Sequence, residues 1–417
     1  MPVSDRLDGS GEDQRPTGEA NPVADVLRDT LAYARDRSYR GWDYGDGMSS
    51  RLLRAAPVDS KWLNIAVQEL AKRPPVNIRP LLRVEQRRNY KGTALFAMAN
   101  CNAAHLDLGG GDVDYAEEGH ELAAWLVRNR SLGFSGFCGG HNHPIQHLDG
   151  RGHPNDPDVV STSYAVKALL AAGELDPQFP AIAKTASAFV ECDLDYRSVE
   201  GGAAIDYHLN HPDSSITINA NALGARLLTD LHARFGRESD RRKAARILSY
   251  VADRQTDEGG WYYRDPPSDS HLSMDNHHNA FVLESFLRFR EVVDTQRFDG
   301  TIDRALTFYR DVLFEESGAP NFDESNAYPR DVHAAANGVL VFTYAGDIEF
   351  AARIVDWTLD HLYCGDGRFY FRNHRFYTKR HVLMRWCVAW MAFALSEFLA
   401  RLDDRADRTD RRLSGEE

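Results

Sequence analysis

The chain has 417 residues, of which 43% are hydrophobic and 27% charged, with a formal net charge of −13. That composition describes a globular chain with a large core, and the acidic balance argues against bare nucleic acid as a partner, because neutralising phosphates requires basic surface. The five cysteines (Cys101, Cys138, Cys192, Cys364 and Cys387) are odd in number and form no CxxC, which fits reduced thiols and a cytoplasmic location.

Taken in chain order, residues 1–20 are rich in Gly, Asp, Glu and Pro and read as a disordered tail. Nothing in them resembles a basic-then-apolar leader. Residues 21–402 read as a single domain and 403–417 as a second charged tail. The longest apolar run, Trp386 to Leu395, is too short to span a bilayer, so no integral membrane segment is expected.

Between the tails one pattern recurs: an amphipathic helix, a Gly/aromatic loop, a polar mouth, then a helix apolar on nearly all sides. The mouths are "VVSTSYAVKALL" at Thr162, "SITINANALGARLL" at Asn219, "MDNHHNAFVLESF" at His277, "YPRDVHAAANGVLVF" at His333 and "HVLMRWCVAWMAFAL" at Trp386, in steps of 57, 58, 56 and 53 residues. A less regular early copy, "RNYKGTALFAMAN", carries Lys91 near its mouth. The preceding helices differ: "DRRKAARILSYVADR" puts Ala244, Ala245, Ile247, Leu248, Val251 and Ala252 on one stripe with charge opposite. A one-sided helix faces water on its other side, whereas one that is apolar all round is buried on both. The expectation is all-α: six helical hairpins closing into an (α/α)6 toroid with inner and outer rings, an open solenoid being the alternative.

In such a toroid the inner helices all begin on one face, and their free N–H groups converge on a bowl. The groups expected there are Lys91, Thr162, Asn219, Asn221, Asp275, His277, His278, Asp331, His333, Arg385 and Trp386, with Tyr207, Trp261 and Tyr328 from the loops. Aromatic faces beside amides and carboxylates suit a sugar, whose C–H faces stack and whose hydroxyls hydrogen-bond. Asp275, His277, Asp331 and His333 are the catalytic candidates; the others would bind substrate. Two acids on neighbouring helices could divide acid and base roles in glycoside hydrolysis. A His pair could instead remove and return a proton beside a uronate carboxyl, with Arg385 or Lys91 holding that carboxyl, which is lyase or epimerase chemistry. Each signal also has a plain structural reading: Asp275 and Asp331 as N-caps, Trp390 as core. The loop "HNHPIQHLDGRGH" offers His141, His143, His147, Asp149 and His153, but without the fixed spacing of a zinc site, so no metal and no cofactor is expected.

Two resemblances follow from particular stretches. Tyr250-Val251, Gln255, Gly259 and Trp261 resemble the QW pattern of terpenoid cyclases, which ties outer helices to loops in an α/α toroid; the DxDD acid of those enzymes is missing, since "DVDY" and "DLDY" lack its third acid. More broadly, "NYKGTALF", "GFSGFC", "NANALGARLL", "DNHHNAFVLESF", "YPRDVHAAA" and "MRWCVAWMAFAL", spread over Trp42 to Leu399, look like the VpsJ-like polysaccharide-biosynthesis proteins. Gly139-Gly140-His141 departs from the aromatic stretch of that family. The resemblance implies a role in surface glycan biosynthesis on a sugar chain or an activated or lipid-linked sugar, within a glycan-biosynthesis complex. A toroid related to six-hairpin glycosidases fits the same reading. No lysine stands in a visible Schiff-base context. The rivals are a terpenoid cyclase or prenyltransferase-like enzyme and a non-catalytic glycan-binding scaffold.

Overall fold

Each hairpin buries one helix on all sides and its partner on one. The helix Val332–Ala345 buries every side chain from Val332 to Thr343, while Glu238–Ala252 buries the stripe Ala244, Ala245, Ile247, Leu248 and Val251 and, Asp240 apart, leaves its charged side chains at least partly exposed. The computed structural model describes Val3 and residues 21–109, 113–147, 150–209 and 215–414, with side chains as far as residue 405.

The outer helices are Pro22–Arg35, Tyr115–Arg128, Gln178–Ala183, Glu238–Ala252, Asp299–Asp311 and Ile348–His361. The inner helices are Tyr90–His105, Val159–Ala171, Ile218–Phe235, Asn276–Val293, Val332–Ala345 and Trp390–Ser414, the last preceded by a wide turn at Met384–Ala389. Each inner helix packs on the next, and the sixth packs on both the fifth and the first. The ring is therefore closed, and the chain is an (α/α)6 toroid, not an open solenoid. The sixth inner helix runs on to Ser414, into the stretch expected to be a tail. Residues 415–417, and 1–20 apart from Val3, lie outside the described residues, as does Asp112 of "DVDY".

The loop 36–89, between the first outer and first inner helices, carries an extra helix, Lys61–Lys72, and is anchored by a buried ion pair, Arg79 to Asp46, at 2.8 Å. Burial pushes the Asp46 carboxyl up to about 6 against the pull of Arg79.

The QW-like stretch does the tying its pattern implies. Trp261 donates its indole N–H to the Val251 carbonyl at 2.8 Å, and Gln255 donates to the Gly259 and Thr301 carbonyls at 2.9 and 3.0 Å, linking two outer helices. Gly259 sits at φ +104°, and a Cβ there would lie 2.5 Å from the Arg304 carbonyl oxygen, so only glycine fits.

Candidate active site

The inner helices share a register that sorts their polar mouths. Their N-caps are Asn89, Asp158, Thr217, Asp275, Asp331 and, at the wide turn, Leu383. Four of these side chains accept a first-turn N–H: Asn89 from Gly92, Asp158 from Ser161, Asp275 from His278 and Asp331 from His333. The second residue past each cap is Lys91, Val160, Asn219, His277, His333 and Arg385. All but His277, which is about one-fifth exposed, are buried, and the five other than the apolar Val160 form the polar ring at the head of the bore.

On three of the six inner helices the fourth residue past the cap has a different task. Its side chain leans over the preceding turn and bonds the loop that leads into its own helix. Thr162 Oγ1 accepts from the Gly139 N–H at 3.2 Å and donates to the Asp158 carbonyl at 2.7 Å. Asn221 accepts from the Ile205 N–H at 2.8 Å and donates to the Ile205 and Thr217 carbonyls, both at 3.0 Å. Asn279 repeats this on Trp261, accepting from its N–H at 2.8 Å and donating to its carbonyl at 3.1 Å. These three were fully polar in sequence, yet their hydrogen bonds are spent inside the framework. Thr162 and Asn221, expected to bind substrate, thus have these hydrogen bonds engaged within the framework. Trp261 likewise is buried, stacks on Phe286 and gives its N–H to the framework. Tyr328 stands at the rim, 40% exposed, with the Arg330 guanidinium 4.9 Å from its ring centre. The Tyr207 ring stacks on His208 at 3.8 Å.

The two candidate acids are anchors. Asp331 accepts from the His333 N–H (2.9 Å) and the Trp386 indole N–H (2.8 Å) through Oδ1, and from Arg372 Nε (2.6 Å) through Oδ2. Asp275 caps its helix and holds two imidazoles: His277 Nδ1 lies 3.1 Å from Oδ1 and His278 Nδ1 lies 2.7 Å from Oδ2. Burial alone would raise the Asp275 carboxyl, but His278, His277 and the cap N–H together hold it far below the ordinary carboxylate range. A carboxyl held there has no proton to donate at neutral pH, which weighs against its service as a general acid.

The imidazoles and the amine carry the reactive character. Burial, with the neighbouring His278, lowers His277 to about 3 despite Asp275. His333 is 1% exposed, burial drives it well below its ordinary value, and neither ring nitrogen has a partner among the described residues. The two rings stand on neighbouring helices with centres 5.0 Å apart. Trp386 and Trp390 each lie 4.5 Å from the His333 ring. About one turn deeper, Tyr164, Phe281 and Trp390 form the floor, with Lys91 Nζ 5.7, 5.6 and 5.5 Å from their ring centres. Burial lowers Lys91 to about 7. The Asn219 Oδ1 is also buried and unpartnered among the described residues.

Arg385 is fixed by Asp43, to which its Nε donates at 2.8 Å. Asn89 donates to the same carboxylate at 2.8 Å and the Tyr44 N–H at 2.7 Å. Burial would raise Asp43, and Arg385 with its hydrogen bonds holds it below its ordinary value. Sequence reasoning missed Asp43, Tyr164, Phe281 and Arg372. Only Asp43 left a signal, an acid set between Trp42 and Tyr44.

Among the described residues, two sets of three side chains bring metal-ligating atoms within 4.8 Å of one another: Asp275, His277 and His278 at the bowl, and Glu117, His120 and Glu121 on an outer helix. The first set lies at the positive end of a helix dipole, which disfavours a cation. The His141, His143 and His147 loop forms no such set, and its Asp149 lies outside the described residues.

Comparison with protein-family models and with curated proteins finds no match for this chain. Solved structures do match the fold. A cellobiose 2-epimerase from Bacillus thermoamylovorans is 12% identical at a TM-score of 0.63, covering 92% of this chain and 100% of its own. An unsaturated glucuronyl hydrolase specific for heparin is 12% identical at 0.61, covering 92% and 97%. A family 76 glycoside hydrolase, a mannosidase, from Bacteroides thetaiotaomicron is 10% identical at 0.61, covering 93% and 100%. Among the described residues no helix is long and apolar enough to cross a membrane.

Proposed function

We propose that this toroid is a carbohydrate-active enzyme that moves a proton on and off a sugar carbon next to a carbonyl or carboxyl group, as an epimerase or lyase does. The observation that carries the reading is the pair of neutral imidazoles, His277 partly exposed and His333 buried, with ring centres 5.0 Å apart on neighbouring helix mouths. A neutral imidazole can accept a proton from carbon, and the imidazolium so formed can return it, directly or by way of the second ring. Asp275 orients His277, as the acid of a catalytic triad orients its histidine. Trp386 supplies an aromatic face and Arg385, Asn219 and Lys91 the polar contacts.

Paired-carboxylate hydrolysis is the weaker reading, because both acids are occupied by cap and side-chain donors. An isoprenoid cavity is weaker still, since it would have to leave Lys91, Asn219, His277, His333 and Arg385 facing hydrocarbon. The solved relatives named for sugar epimerisation and glycan hydrolysis support sugar as the substrate class. The VpsJ-like resemblance supports a cytoplasmic place in surface polysaccharide biosynthesis, on a free, activated or lipid-linked sugar and beside other glycan-building enzymes.

The test is a thermal-shift screen against neutral, uronate-containing and isoprenoid-linked glycans and isoprenoid diphosphates, followed by turnover of any hit in D2O. Deuterium appearing on a sugar carbon is the expected result. Release of a new reducing end without carbon-bound deuterium would replace the reading with hydrolysis. A shift with isoprenoid diphosphates alone would move the protein to the cyclase-like class.

A further inference from the structure

The proton-transfer reading leaves one buried nucleophile unused. Lys91 stands at the floor of the bowl with its amine within 6 Å of three aromatic ring centres, and it makes no hydrogen bond or ion pair among the described residues. The other interior lysines differ. Lys167 donates to the Tyr344 hydroxyl at 3.0 Å, and Lys379 donates to the Lys72 and Arg73 carbonyls. Burial and the lack of a counter-ion lower the basicity of this amine and leave it available as a nucleophile, against the pull of the three ring faces, which favour an ammonium ion. The nearest fixed cation, Arg385, acts in the same direction, and the carboxylates that oppose it, Asp158 and Asp43, are already engaged by Ser161 and Arg385. Facing the amine from the other inner helices are His277, His333 and Arg385, so nothing aimed at it offers a permanent negative charge.

We propose that Lys91 forms an imine with the carbonyl carbon of an open-chain aldose, a step that rests on the sugar reading above and narrows its substrate to reducing sugars. The Nζ lone pair attacks C1, a C–N bond forms, and the carbonyl electrons pass to oxygen, which takes up a proton. That oxygen takes a second proton from solvent and leaves as water, and because nitrogen keeps one of its hydrogens the C=N bond left behind is protonated. The proton on C2 is then acidified; one imidazole removes it, its electrons entering a C1–C2 double bond with nitrogen as the sink, and the imidazolium so formed returns the proton to C2, directly or by way of the other imidazole. Water hydrolyses the imine and frees Lys91. No oxidant or reductant is consumed. The lowered basicity of Lys91, to about 7, leaves much of it unprotonated at neutral pH.

The chain carries only seven lysines, so trapping can be read residue by residue. The full-length protein is incubated with mannose, glucose or glucuronate and sodium cyanoborohydride, digested and mapped by mass spectrometry. The corresponding methyl glycosides, which cannot open to an aldehyde, serve as controls. The expected result is one reduced sugar adduct on Lys91, ahead of the six other lysines and absent with methyl glycosides. It should form with a midpoint near pH 7 and be lost in Lys91→Met. Mapping of the unmodified chain decides the matter even where Lys91→Met fails to fold. Sugars that shift the melting temperature while adducts fall only on other lysines would overturn the role of Lys91 and leave the bowl reading standing. Sugars that neither shift it nor form adducts would remove both.

Discussion

At the far end of the bore from Lys91, the same inner helices enclose a cavity of about 450 Å³ lined by Lys167, Arg226, Asp230, Glu284, Arg288 and Tyr344, among others. There the charges meet opposite charges or hydroxyls. Arg226 faces Glu284 at 2.5 Å, Arg288 donates to Asp230 at 2.7 Å, and Lys167 donates to Tyr344, which donates to Glu397 at 2.7 Å. Burial alone would lower Arg226, but Glu284 and Asp230 raise it well above its ordinary value. At the bowl, burial lowers Lys91, His277 and His333, and Lys91 and His333 have no hydrogen-bonding partner among the described residues. The floor of Tyr164, Phe281 and Trp390 separates the two. A buried charge with a partner holds the barrel together; a buried polar group without one awaits a ligand.

Six substitutions bear on that contrast. The largest effect expected is on turnover: His277→Ala or His333→Ala should lower kcat by roughly 10²–10⁴-fold, the range of a lost general acid or base. His333→Phe should lose turnover equally while keeping or raising the melting temperature, because it removes a buried imidazole with no partner. Steady-state kinetics beside thermal melts separates these outcomes. Full activity in either alanine variant would break the contrast at the bowl.

At the far end the expected loss is in stability. Arg226→Ala strands Glu284, 2% exposed, and should cost about 3–5 kcal/mol in urea unfolding, with kcat per folded molecule unchanged. Loss of turnover at unchanged stability would make that end functional. Asp331→Asn should fall between, costing about 1–3 kcal/mol as its bond to Arg372 weakens, with a lower kcat and the same pH profile. A moved pH profile would restore Asp331 as acid or base.

The smallest effect is a slope. His277 titrates near 3 when folded and near 6.5 when unfolded, so between these values the unfolded chain binds more protons. The stability from keeping it neutral is whole above about pH 6.5 and is lost as pH falls towards 3. His277→Gln should flatten this part of the curve, read from urea midpoints between pH 7 and 4. An unchanged slope would mean that another group governs acid sensitivity.

The toroid was legible because the steps of 53–58 residues and the alternation of one-sided and all-round apolar helices are local patterns, each readable in one stretch of chain. His277, His333, Asn219 and Arg385 were legible as members of polar mouths. What failed was the distinction between residues two and four places past a cap, since both are polar and close together. Thr162 and Asn221 fell on the framework side of it. The setting of Lys91 was out of reach, because its three rings come from three other helices and no single stretch of sequence contains them. Asp331 was visible as an acid, but its partners Arg372 and Trp386 lie 41 and 55 residues away.

The clamps of Thr162, Asn221 and Asn279 lock each entering loop to the helix that follows it, and they do so two residues beyond the bowl-facing position. Scaffold and chemistry are therefore written at separate addresses on each helix. Saturating positions 91, 160, 219, 277, 333 and 385 gives a six-site combinatorial library that leaves those three clamps untouched, with Arg385 alone of the six also pairing a buried loop acid, Asp43. A chain of this design could exchange one catalytic repertoire for another by substitutions confined to those six codons, without a loop being rebuilt.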